Sequence, residues 1–184
     1  FIIFFFISTM TSMMGLLAVN YLTSVYDMSK IAASGYVVFF TFGFIAGSPV
    51  MSLSDRLLKG NYKKSLLFFT GAYFLLWFYF LIIKAGKPPV NQIPVIFFLM
   101  GIAVMVHILA FTASKDANKI ENAGVATSVV NTMEFIGSGI INFLIALNLQ
   151  RGNNTEKAFL IILVFSAGAF IASLFVRFDN QANS

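Results

Sequence analysis

The sequence predicts an all-α, polytopic membrane protein: a six-helix bundle that takes up almost the whole chain. Three observations carry this. Hydrophobic residues make up 59% of the 184 positions and charged residues only 10%, with a mean hydropathy of +0.88. A soluble domain has about 25% charged residues and roughly half apolar ones, so a chain holding 23 Phe has too little polar surface to cover itself in water. The apolar residues also fall in runs about 20 residues long, the length a helix needs to cross some 30 Å of hydrocarbon. Short polar segments separate the runs, leaving no room for a soluble domain.

In chain order the spans are read at about 1–22, 31–52, 64–84, 93–113, 124–149 and 157–176. The first begins at once on Phe1 rather than on Met, without a basic leader or a cleavage segment, which reads as a piece cut from a longer polypeptide. Asp27 to Lys30 join the first two spans. Pro88-Pro89 mark the turn between the third and fourth, and Gly152-Asn153-Asn154 the turn before the last. The remaining loops, 53–63 and 114–123, lie together on the opposite side.

Topology is read from Lys and Arg. Arg56, Lys59, Lys63, Lys64, Lys115, Lys119 and Arg177 fall on one side, Lys30, Lys84, Lys87, Arg151 and Lys157 on the other. Because Arg56, Lys59, Lys63 and Lys64 crowd one short loop, that loop and both chain ends are expected in the cytoplasm, with a bacterial inner membrane as the expected location. In a soluble protein the net charge of +5 would suggest nucleic acid; here the basic residues flank spans, where headgroups and topology account for them. Cysteine is absent, which excludes disulfides and thiolate chemistry.

Two ionisable residues lie well inside spans: His107 in the fourth and Glu134 in the fifth. A charge at that depth costs a few kcal/mol on insertion scales, so it faces protein or water and is a functional candidate. Glu134 stands about 15 Å into its span at 1.5 Å per residue. Thr127, Asn131, Glu134 and Ser138 follow spacings of four, three and four and form one polar stripe, which Asn142 extends. A stripe of this kind suits a polar cavity between helices. Glu134 is the candidate for binding and releasing a proton or for pairing with a cationic solute; a structural carboxylate bonded across a helix interface is the alternative. His107, about 9 Å deep, suits a proton relay or a donor to solute, against the alternative of a neutral ring bonded between helices.

Other expected cavity contacts are Ser12 and Asn20 in the first span and Tyr36 in the second. Single hydroxyls in such helices often bond only their own backbone. Gly15, Gly43, Gly47, Gly137, Gly139 and Gly168 would allow close helix approach. Spans three and six, rich in Phe, Leu, Trp77 and Tyr79, read as outer helices against lipid; the other four read as facing inward. One His and no Cys leave no metal site, no cofactor is implied, and no paired carboxylates or activated nucleophile suggest an enzyme.

The most specific segment is 47–64, which carries Asp55-Arg56, then Gly60, then Lys63-Lys64. It resembles the signature loop of the major facilitator superfamily, in which an Asp-Arg pair is followed by a glycine and two basic residues. Met51 stands where a glycine is usual and the spacing is stretched, a weaker form similar to the copy between the eighth and ninth helices of that family. Asn122 to Thr132, followed by Gly137-Ser138-Gly139, is similar to the start of its eleventh helix. The resemblance implies helices 7 to 12 of a twelve-helix transporter. Six further helices would precede Phe1, and the Asp55-Arg56 loop would latch the cytoplasmic side.

The function it implies is secondary active transport of a small polar solute by alternating access, coupled to protons, with lipid, solute and the missing six-helix half as partners. Enforcement of topology is the other reading of the basic loop. A non-transporting six-helix protein with a structural or signalling role is the rival for the whole.

Overall fold

The computed structural model describes residues 2–151 and 155–176; for Ile7, Ser8, Thr11, Gly15, Leu16, Asp55 and Glu156 it describes the backbone alone. Arg177 and the turn Gly152-Asn153-Asn154 lie outside the described residues, as do the side chains of Asp55, Ser8 and Thr11. The described residues are helical almost throughout.

Five helices are individually long and apolar enough to cross a membrane: Lys30–Ser54, Tyr62–Ile83, Val90–Asp116, Ile120–Gln150 and Lys157–Phe175. They fit a multi-pass membrane protein. The first expected span is one continuous helical run with a π-helical segment inside it. It consists of α1 (Ile2–Ser12), a π-helical segment Met13–Leu17 and α2 (Ala18–Tyr26), which ends on Asp27 in the left-handed region at φ 52°.

The remaining elements are α3 (Lys30–Leu57), α4 (Tyr62–Phe78) with a π-helical end at Tyr79–Ile83, α5 (Ile93–Val104), α6 (His107–Asp116), α7 (Ala123–Gln150) and α8 (Thr155–Phe175). Helix starts follow the sequence locally. The Ser29 hydroxyl accepts from Ala32 N at the head of α3, and Asn61 Oδ1 accepts from Lys64 N at the head of α4. Pro94 occupies the first turn of α5, where its missing N–H costs nothing.

The most extensive packing joins α3 to α5, and a glycine seam explains it. A Cβ on Gly43 would collide with the Phe98 carbonyl, and one on Gly101 with the Phe40 carbonyl, so each helix presents a glycine to the other's backbone. One turn on, a Cβ at Gly47 would lie 2.5 Å from Met105 Cβ. In a bilayer, where burial gains nothing over lipid, such contact is the main source of helix association. Gly137 plays the same part between α7 and the Phe4 carbonyl of α1. Gly139, expected to pack, meets open space.

Along α4, expected as an outer helix, the aromatic run divides between two faces. Phe69, Tyr73, Trp77 and Phe80 are fully or almost fully buried, while Phe68, Leu75, Phe78 and Ile82 on the other side are exposed. Trp77 and Phe80 enclose Phe159 of α8 at ring distances of 5.4 and 5.6 Å, and the Tyr73 hydroxyl meets Thr9 Oγ1 of α1 at 2.8 Å. The aromatic run thus faces core on one side and lipid on the other. By contrast α3 and α7 are the least buried of the five long helices.

One loop is tied to the first helix pair. Tyr21 OH donates to the Gly86 carbonyl and Tyr26 OH to the Pro88 carbonyl at 2.6 Å. Tyr26→Phe removes the second bond, worth about 1 kcal/mol. Faster amide exchange confined to residues 84–92, with the global unfolding midpoint almost unchanged, is the expected result.

Candidate functional site

His107 opens α6 just after a break in the fourth span. A continuous α-helix would direct Ile108 N to the Val104 carbonyl; here Ile108 N goes to Met105 O at 3.2 Å and Leu109 N to Val106 O at 2.9 Å. The Val104 carbonyl is met instead by His107 Nδ1 at 2.9 Å. A carbonyl only accepts, so Nδ1 carries the hydrogen and Nε2 is left as the nitrogen able to take or pass a proton. The half-buried ring is held from both sides. It stacks on Phe44 of α3 at 5.8 Å and 13°, and meets Phe111 edge-on at 6.5 Å.

Glu134 sits half-buried on α7. The two ionisable residues that the sequence places inside spans are thus both half-buried, His107 on α6 and Glu134 on α7. α6 and α7 are packed neighbours. Thr127, Ser138 and Asn142 are half-buried along the same stripe and Asn131 is exposed, so the stripe borders the buried seam of Gly137, Ile141 and Ile145.

The other candidates are placed differently. Thr127 bonds back to the Ala123 carbonyl at 2.8 Å, within its own helix. Ser12 is fully buried and donates to Asn142 Oδ1 at 2.6 Å, which ties α1 to the far end of the stripe. Asn20 is exposed on α2. Tyr36 is half-buried against the core, about 12 Å along α3 from Phe44 at the helical rise.

In the basic loop, Lys59 and Gly60 both take positive φ, at 55° and 67°. Glycine is suited to the second position because it has no Cβ to strain. Arg56 and Lys64 are exposed and Lys63 is half-buried. Tyr62 OH donates to Asp116 Oδ2 at 2.6 Å, joining this loop to the end of α6.

Two contributors escape sequence reasoning. Phe44 is one phenylalanine among many, and nothing in Val104-Met105-Val106 announces a break, since neither Pro nor Gly is there. A cavity of about 260 Å³ between α3 and α6 is lined by Ser48, Ser52, Tyr62 and Thr112, and a larger one of about 760 Å³ lies on the Val129, Val130 and Met133 side of α7. Neither is lined by His107 or Glu134. Among the described residues no three His, Asp or Glu side chains gather as a metal site.

No protein-family model, curated protein or solved structure matches the chain.

Proposed function

We propose that this chain forms a six-helix wall of a secondary transporter for a small polar solute, coupled to protons and working by alternating access. The observation that carries the reading is His107, a half-buried imidazole on the helix packed against the one that carries Glu134. Its Nε2 is left over from the Val104 contact, and the ring stands at an irregular turn of the fourth span. Broken helices at membrane depth are tolerated where they are buried in protein or line a cavity, and ionisable residues there are suited to a proton relay.

Glu134 is the candidate proton carrier and His107 its relay, with Asn131, Ser138, Asn20 and Tyr36 as solute contacts. Ser12, already engaged with Asn142, positions α7 against α1. The resemblance of the loop at Asp55, Arg56, Gly60, Lys63 and Lys64 supports placing this wall as the second half of a major facilitator superfamily transporter. On that reading the basic loop and both chain ends are cytoplasmic. Rocking against the partner half would then open the site to each side in turn.

The test is uptake by the intact protein in liposomes under an imposed proton gradient, using a panel of labelled sugars, amino acids and carboxylates. At least one solute should accumulate, and Glu134→Gln should abolish gradient-driven accumulation while sparing gradient-independent exchange. Unchanged accumulation by Glu134→Gln would sink the proton role. Failure of every solute to move would favour a non-transporting bundle.

A further inference from the structure

The cavity of about 760 Å³ is lined by neither His107 nor Glu134. Buried Ile2, Ile3, Leu66 and Ala113 form its floor, and exposed Val129, Ile171 and Phe175 form its rim. Its opening is therefore lateral, between α7 and α8, and apolar from floor to rim. Along α8 it runs from Gly168 to Phe175, about 10 Å at the helical rise. An apolar space of this kind holds water poorly, and at hydrocarbon depth the material beside it is an acyl chain.

One end of the cavity is polar. Ser114 and Asn118 line it where α6 gives way to the next loop. Lys63 lies half-buried on α4, one turn from the cavity-lining Leu66 toward the same end of the bundle. Lys115 and Lys119 are exposed beside Ser114 and Asn118. The described acidic groups at this end are Asp116, whose Oδ2 already accepts from Tyr62, and Glu121, which lines a separate depression at the start of α7. Positive charge next to an apolar slot between helices is the arrangement that recognises an anionic lipid headgroup.

We propose that this cavity is a resident site for one anionic phospholipid, with an acyl chain between α7 and α8 and its phosphate at Lys63 and Lys115. The proposal does not depend on transport. The lipid would wedge α1, α6, α7 and α8 apart on the face of α7 that carries Val129 and Met133.

The experiment is native mass spectrometry of the detergent-purified protein after exchange into bicelles containing equal phosphatidylglycerol and phosphatidylcholine. The wild type should retain one phosphatidylglycerol through delipidation, preferred at least tenfold over phosphatidylcholine. The double variant Lys63→Gln, Lys115→Gln alters only surface charge, and it should bring the preference down to parity. Ala113→Phe, which fills the floor, should lose the retained lipid; circular dichroism and elution volume would show whether it folds. Equal retention of the two lipids by the wild type overturns the proposal, as does an unchanged tenfold preference in the lysine variant. A folded Ala113→Phe that keeps its lipid also overturns it.

Discussion

Gly43→Leu should prevent the bundle from assembling, because α3 and α5 meet backbone to backbone at that point. Overpacking a core costs about 1–3 kcal/mol when neighbouring side chains can move aside. Here the obstacle is the Phe98 carbonyl, which is held within a helix, and the reciprocal contact of Gly101 with Phe40 leaves no direction of retreat. The cost is therefore expected at or above the top of that range. In detergent the variant should elute as aggregate or lose its cooperative thermal transition, and Gly101→Val should do the same. Gly124→Ala, at a position where an added Cβ meets nothing within 4 Å, serves as the control and should unfold like the wild type. A Gly43→Leu protein with wild-type elution and midpoint would show that the α3–α5 seam is not closed as described.

What the sequence made legible follows from what its signals depend on. Apolar runs and turn residues report length and punctuation, so the helical class and the five long helices could be read before any packing was known. The same patterning could not tell one face of α4 from the other. A Phe, Tyr or Trp facing lipid and one facing a neighbouring helix are equally apolar, and in a membrane no polar face separates the two. Tyr73 and Trp77 are core residues because Thr9 and Phe159 stand opposite them, and those partners come from distant parts of the chain.

Glycines carry a similar ambiguity. Gly137 and Gly139 look alike in the sequence, yet one meets the backbone of α1 and the other meets nothing. Within the candidate site, His107 and Glu134 stood out because ionisable residues are rare in apolar spans. The carbonyl that holds the ring depended on a backbone irregularity that no residue type encodes. The cavity behind α7 was invisible for a related reason: it is defined by volume that side chains fail to fill.

His107 has two separable tasks, and paired substitutions should divide them. The first is structural: Nδ1–H satisfies the Val104 carbonyl that the break takes away from Ile108. Leaving a carbonyl unsatisfied away from water costs about 1–3 kcal/mol, so His107→Leu should lower stability by that amount. His107→Asn places an amide N–H near the position of Nδ1 and should recover most of the loss. The second task is the proposed relay through Nε2, which asparagine cannot perform. The His107→Asn protein should therefore be stable yet defective in gradient-driven uptake, whereas the His107→Leu protein should be defective in both. Because the chain holds one histidine, nitrogen NMR of histidine-labelled protein reads this ring alone. The neutral ring should carry its hydrogen on Nδ1. A hydrogen on Nε2 instead, or a His107→Leu variant as stable as the wild type, would detach the imidazole from the helix break. If the tautomer holds but the His107→Asn protein transports normally, the ring is a clasp for the broken helix and the proton passes by Glu134 alone.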